Sequence, residues 1–232
     1  MQSNLWSSYN GQDLVDENTI YLFKFKVDAY FNKISAAILS SDESDKARRF
    51  LNQADRENYV VRKFFLRILL GKVLDTDPRQ IVFYREQYKK PSVPDVKFNV
   101  SHSKNFAVIA LGKLTVGIDI EYINRDFDFN PLLNQCFSDE ESVFIKEAKD
   151  PHLSFFTLWT KKEALLKATG EGLIDDMQTL SVLPSRIHRN EKEYKLESIC
   201  TDNFVISICY QASENIKIKL FDSVDVGVFS TF

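Results

Sequence analysis

The stretch Trp159-Thr160-Lys161-Lys162-Glu163-Ala164-Leu165-Leu166-Lys167 restricts the possible folds more than any other. At about 100° per residue, a helix carries Trp159, Glu163 and Lys167 up one side, each four residues from the next. Phe155, Trp159 and Leu166 fall close together on this wheel, while Leu158 and Leu165 lie almost opposite. The helix is therefore apolar on two sides and is expected to be buried, and charged residues on its rim need partners. Taken alone, Glu163 and Lys167 also fit an ordinary (i, i+4) surface pair contributing about 0.3–0.5 kcal/mol.

A second stretch, Val116-Gly117-Ile118-Asp119-Ile120-Glu121, alternates as a strand does. Val116, Ile118 and Ile120 point one way, towards an expected core, and Gly117, Asp119 and Glu121 point the other. The two carboxylates sit about 6.5 Å apart along one face, beside a glycine that leaves the approach open. A half-exposed strand without function reads the same way. Two strand carboxylates, a helix carboxylate and a lysine nevertheless make a set of hard oxygen ligands with a fixed cation. Mg²⁺ favours such ligands and shares its remaining positions with phosphate oxygens, so phosphoryl chemistry is the class indicated.

Gly117-Ile118-Asp119-Ile120-Glu121 and Trp159-x-x-Lys162-Glu163-Ala164-x-x-Lys167, in that order, resemble the paired signatures of 4′-phosphopantetheinyl transferases. The resemblance is to the larger, monomeric class and runs from about Lys46 to Phe204. It implies an α+β fold of two similar halves related by a pseudo-twofold, each a small, mainly antiparallel sheet packed with helices. The site is implied to lie between the halves. The halves are expected at residues 1–112, anchoring coenzyme A, and 113–232, carrying the metal and catalytic motifs.

The same resemblance assigns roles. Asp119, Glu121 and Glu163 hold Mg²⁺; Glu163 and Lys167 are catalytic, with Lys167 keeping the Glu163 carboxylate ionised. Ser101-His102-Ser103 matches a family tripeptide in which the histidine meets a phosphate of coenzyme A. Lys46, Arg48 and Arg49 match a basic cluster for the 3′-phosphate of the adenosine, chemistry suited to both lysine and arginine. Lys90 corresponds to the lysine of a Gly-Lys-Pro motif, although Lys89 replaces the glycine. Asn58 stands where many relatives carry an arginine, with only Arg56 and Arg62 close by to substitute. Trp159 is expected to pack rather than react.

The implied reaction transfers 4′-phosphopantetheine from coenzyme A to a serine of an apo-carrier protein, acyl or peptidyl, releasing 3′,5′-ADP. The alternatives are a Mg²⁺-dependent phosphoesterase and a non-catalytic protein that binds coenzyme A or carriers. The loop 124–137, with Phe127, Phe129, Leu132 and Leu133, is a candidate docking patch or an ordinary packed loop.

The composition is compatible with this. Of 232 residues, 44% are apolar, ample for a core, and 30 basic against 33 acidic side chains give a net charge of −3. That balance argues against broad binding to nucleic acid or anionic membrane. Cys136, Cys200 and Cys209 show no zinc spacing, and no apolar run nears the ~20 residues of a membrane span. A cytoplasmic protein with reduced cysteines is expected, and the resemblance implies a monomer.

Periodicity predicts a loose start over 1–18, a strand over 19–27, a helix over 30–39 and two helices over 45–74 joined near 53–58. A short strand at 81–84 and a three-stranded meander over 96–121 follow, with a break near Gly112-Lys113. Helices over 138–147 and 151–169 precede strands at 179–183, 194–198, 204–210 and 216–221.

Overall fold

The computed structural model describes residues 5–14, 16–85, 90–201 and 203–229. In chain order its strands and helices are β1 (Trp6–Tyr9), β2 (Thr19–Lys26), α1 (Val27–Tyr30), α2 (Ser41–Arg48), α3 (Gln53–Leu74), β3 (Tyr84–Arg85), β4 (Pro91–Ser92), β5 (Lys97–Ser103), β6 (Phe106–Gly112) and β7 (Val116–Tyr122). There follow α4 (Asn130–Cys136), α5 (Asp139–Glu147), α6 (Pro151–Thr169), β8 (Arg186–Arg189), β9 (Lys192–Cys200), β10 (Phe204–Gln211) and β11 (Lys217–Val224). The chain divides into one unit of Met1–Glu86, Pro91–Leu114 and Asn215–Phe232, and another of Gln87–Lys90 and Thr115–Glu214. Each contains helices and a sheet, which makes the fold α+β.

The first unit is built on a five-stranded sheet ordered β1-β11-β2-β6-β5. β1 and β2 flank β11 in parallel, while β6 pairs antiparallel with β2 and with β5. Its core joins that sheet to α3, with Phe25 stacked on Phe65 at 4.1 Å between ring centroids. The second unit is a wholly antiparallel sheet ordered β7-β10-β9-β8. Its core holds Phe155, Leu165 and Leu166 of α6 with Leu196, Val205 and Cys209 of the sheet.

Both units contain the same polar clamp. In the first, Ser40 and Glu43 form a capping box at the start of α2, and the buried Glu43 carboxylate accepts from Arg67 Nε of α3 at 2.6 Å. Arg67 also donates to the carbonyls of Pro78 (2.8 Å) and Ile81 (3.1 Å) in the segment after α3. In the second, Ser138 and Glu141 form the capping box of α5, and Glu141 Oε2 pairs with Lys162 Nζ of α6 at 2.7 Å. Lys162 also donates to the carbonyls of Met177 (3.0 Å) and Leu180 in the segment after α6. A buried charge needs an opposite charge close by, and both carboxylates find theirs within one unit, Glu43 Oε1 facing Lys63 Nζ at 3.1 Å in addition to the Arg67 contact.

Four expectations need correction. Residues 30–39 are not one helix, because Ile34 is extended and the Ser35 hydroxyl accepts from Ala37 N at 3.3 Å, starting a separate 3₁₀ turn. Residues 179–183 form no strand, since the Leu180 carbonyl serves Lys162 and Val182 N donates to Glu141 Oε1 at 2.7 Å. β7 leaves the expected meander and pairs with β10 instead of β6. The tail beyond 214, placed by the sequence with the C-terminal half, supplies β11 to the first unit's sheet, where the start of the chain also pairs as β1. Cys136, Cys200 and Cys209 are all free thiols. Among the described residues no helix is long and apolar enough to cross a membrane.

Candidate active site

The second unit brings Asp119, Glu163 and Lys167 together. α6 starts at Asp150, whose side chain accepts from Leu153 N at 3.0 Å with Pro151 in the first turn, and stops at Gly170 in the left-handed conformation, φ 78°. These are strong start and stop signals, and they fix the two ends of the helix. α6 lies against β7 on the face of Gly117, Asp119 and Glu121. A Cβ on Gly117 would stand 2.1 Å from the Ala164 carbonyl oxygen and 2.4 Å from Ala168 N. The glycine therefore makes room for a helix backbone, not for an incoming substrate as the sequence suggested.

This face also carries the unit's core. Val205 and Cys209, the cross-strand partners of Glu121 and Gly117, belong to the apolar cluster under α6. The opposite face, with Val116, Ile118 and Ile120, is buried as well, so β7 is covered on both sides. Ser207, the cross-strand partner of Asp119, shares hydrogen bonds with Thr160 Oγ1 of α6 (2.7 Å) and Ser198 Oγ of β9 (2.8 Å). This hydroxyl chain fastens the helix to the sheet beside Asp119.

Asp119 is only 3% exposed, and Lys167 Nζ donates to its Oδ1 at 2.7 Å. Burial raises the Glu163 carboxyl above the usual glutamate range; the Lys167 ammonium opposes that rise and the Asp119 carboxylate adds to it. Two acids in a partly desolvated place repel one another, so the proton is held longer. Lys167 thus makes its ion pair with Asp119, and it does not by itself keep Glu163 at an ordinary acidity.

Glu121 is half-buried at the next same-face position of β7. Among the described residues no three His, Cys, Asp or Glu side chains form a ready metal-ligand cluster. The donor chemistry fits Mg²⁺ all the same, because that ion takes one or two carboxylates and completes its shell with water and substrate phosphate. The mutual repulsion of Asp119 and Glu163 is what a shared divalent cation would relieve.

Trp159 stacks on Phe155 at 6.4 Å, as a packing residue should. Lys162, part of the helix motif, is 0% exposed and clamped as described above, a role its place in the motif does not disclose. Lys90 Nζ donates to the Lys167 carbonyl at 2.6 Å, so this lysine sits on the last turn of α6. The expected docking loop 124–137 is a loop only as far as Phe129 and continues as α4; of its four apolar candidates Phe129 and Leu133 are core, Leu132 is half-buried, and Phe127 is exposed beside Phe155 and Phe156.

The remaining candidates belong to the first unit. Ser101 is buried and His102 exposed, both near the end of β5. Lys46, Arg48 and Arg49 are exposed at the end of α2. Arg48 is paired with Asp45, whereas Lys46 Nζ lies 5.4 Å over the Tyr59 ring and Arg49 Nε reaches the Asp45 carbonyl at 3.4 Å. Asn58 is 5% exposed and donates through Nδ2 to the Lys104 carbonyl at 3.2 Å, holding the turn after β5 in which Lys104 has φ 51°.

Comparisons with known proteins identify the family. Residues 115–218 match the 4′-phosphopantetheinyl transferase superfamily model, and residues 26–113 match that of 4′-phosphopantetheinyl transferase, N-terminal. The chain is 30% identical to the 4′-phosphopantetheinyl transferase HetI of Nostoc sp. over 82% of its length and 86% of the relative's. It is 33% identical to gsp of Aneurinibacillus migulanus over 70% and 71% of the two lengths. Against Sfp of Bacillus subtilis it is 28% identical over 68% and 71%. With its two motifs set face to face on β7 and α6, the chain belongs to the 4′-phosphopantetheinyl transferase family, in its larger, Sfp-like class.

Proposed function

We propose that this transferase moves the 4′-phosphopantetheine arm of coenzyme A onto a serine hydroxyl of an apo-carrier protein, with Mg²⁺, releasing 3′,5′-ADP. The observation that carries the reading is the Lys167–Asp119 ion pair beside a Glu163 carboxyl of raised pKa. Both family segments lie on one chain, which supports action as a monomer.

The serine oxygen forms a bond to the β-phosphorus of coenzyme A while the bond to the leaving phosphate breaks. Glu163 accepts the hydroxyl proton; its raised pKa brings it nearer the range in which a carboxylate is an effective base. Lys167 orients Asp119 and places positive charge where negative charge develops. Asp119 and Glu163, with Glu121 alongside, would hold Mg²⁺, which when bound supplies Lewis-acid stabilisation of the phosphoryl oxygens. The reaction depends mainly on positioning and electrostatics, since phosphoryl transfer needs little else from the protein. Ser101, His102, Lys46 and Arg49 are read as anchors for the remainder of coenzyme A. Lys90, here held by the Lys167 carbonyl, fits a structural role on α6 at least as well as a phosphate contact.

The test is incubation with coenzyme A, MgCl₂ and a panel of apo-carrier domains, followed by intact-mass measurement. A carrier gaining one phosphopantetheine supports the proposal. Hydrolysis of coenzyme A with every carrier unchanged would instead establish a phosphoesterase, and binding without turnover a non-catalytic protein.

A further inference from the structure

The chain leaves α6 just beyond Lys167 by way of two glycines. Gly170 and Gly172 both take positive φ, 78° and 72°, and Glu171 is the one side chain between them. Glycines in this region give the backbone little preference of its own, so the exit is fixed chiefly through Glu171. Its carboxylate is gripped from the β8–β9 hairpin. Arg189 Nε donates to Oε1 and Oε2 at 2.8 and 3.0 Å, a terminal guanidinium nitrogen donates to Oε2 at 2.5 Å, and Asn190 Nδ2 donates to Oε1 at 3.0 Å. The Arg189 hydrogen bonds hold the Glu171 carboxyl below the usual glutamate range, with the Thr169 hydroxyl adding to them. The hairpin presets the grip: Asn190 and Glu191, φ 49° and 61°, form the two-residue turn that closes the Arg189–Lys192 pair.

An exposed ion pair contributes little, but a forked pair whose side chains are only 26% and 22% exposed, with a third donor in place, holds its partners in one geometry. What it holds is the end of the catalytic helix. Lys167 lies in the last turn of α6, with its ammonium on Asp119 at 2.7 Å and its carbonyl accepting from Lys90 Nζ at 2.6 Å. Gly170 N closes that turn on the Leu166 carbonyl at 2.9 Å, so a shift of Glu171 passes through one residue to the turn that carries Lys167. We propose that Arg189 is a positioning residue for the transfer, fixing Glu171 and through it the turn of α6 that aims Lys167 at Asp119. The proposal rests on the transferase reading above, in which Lys167 supplies positive charge where negative charge develops. Misplacing such a group by about 1 Å costs up to ~10²-fold in rate, and the loss falls on the chemical step because Arg189 touches no substrate. Arg186, on the same strand, pairs instead with Glu193 across the hairpin at 2.7 Å.

Steady-state transfer from coenzyme A to an apo-carrier domain, with MgCl₂, tests this. The expected result is that Arg189→Gln lowers kcat by ~5-fold or more while the KM values for coenzyme A and carrier change by less than about 2-fold. Arg189→Lys, which keeps the charge without the fork, should recover part of kcat, and Arg186→Gln should leave it at the wild-type value. In a Lys167→Gln background, Arg189→Gln should lower kcat by no more than about 2-fold further, because the two residues act in series. Glu171→Gln should show the same pattern, and circular dichroism confirms that each variant is folded. Unchanged kcat in both Arg189→Gln and Glu171→Gln, a loss confined to KM, or the full loss repeated in the Lys167→Gln background overturns the role of Arg189. A wild-type protein that modifies no apo-carrier, or a folded Lys167→Gln variant that transfers at the wild-type rate, overturns the transferase reading of the site instead.

Discussion

Glu163 is where function and stability conflict most openly. Its folded-state pKa lies above that of a free glutamate, mainly through burial, so the folded protein holds the proton more tightly than the unfolded chain. By linkage, stability then falls as pH rises from the ordinary glutamate range through the raised pKa, and the whole cost is present at neutral pH. Glu163→Gln should therefore unfold at a higher temperature than wild type at pH 7 without metal, with the gain shrinking as pH falls towards the ordinary range. Calorimetric melting across pH measures this, and a lower melting temperature for Glu163→Gln at pH 7 would contradict it. The acidic limb of the kcat/KM profile should lie above the usual glutamate range. Lys167→Gln should move that limb further up, because the ammonium lowers the carboxyl pKa. The juxtaposition of Asp119 with Glu163 and Lys167 was legible because the two motifs that carry them resemble a family's paired signatures. The role of Gly117 was not, since an absent side chain does not disclose what fills its space. Gly117→Ala should cost about 1–3 kcal/mol or more and lower transfer with it, because the new methyl would meet the Ala164 carbonyl and lift α6 from β7. Chemical denaturation together with a transfer assay would show both effects.

At the level of elements, α6 matched its predicted bounds of 151–169, because Asp150, Pro151 and Gly170 punctuate it and its apolar residues recur at helical spacing. The segment after it did not, and the reason is Lys162. Residues 179–183 alternate like a strand, yet their backbone is claimed by a buried ammonium and a buried carboxylate from two other elements. No local pattern reveals such a tertiary claim. Lys162→Met would leave Glu141 charged and buried and would strip the Met177 and Leu180 carbonyls of their donor, at a cost of about 3–5 kcal/mol. Amide hydrogen exchange should show the loss of protection concentrated in residues 177–182 and the N-terminal turn of α5. Uniform loss across the sheet would argue against a clamp.

Across the whole molecule, each unit pairs a capping-box glutamate with a cation from its long helix and two carbonyls beyond it, although the residues differ: Glu43 with Arg67, Glu141 with Lys162. The sequence suggested two similar halves through the family resemblance and the order of strands and helices, not through residue-level repetition, because the shared positions are few and far apart. It misplaced the tail because alternation over 217–224 says that a strand forms and not which sheet receives it. β11 lies between β1 and β2, so a chain ending at Glu214 should lose the fold of the first unit although Asp119, Glu163 and Lys167 are untouched. Limited proteolysis would reveal that unit as the first to be cut. The central claim is that Asp119, Glu163 and Lys167 of the second unit perform the transfer. It is tested most directly by the single-turnover rate of phosphopantetheine appearance on an apo-carrier, measured for wild type, Asp119→Ala and Glu163→Gln under the same Mg²⁺ and coenzyme A concentrations. The predicted result is a fall of ~10²-fold or more in each folded variant. Rates near wild type in both would contradict the claim.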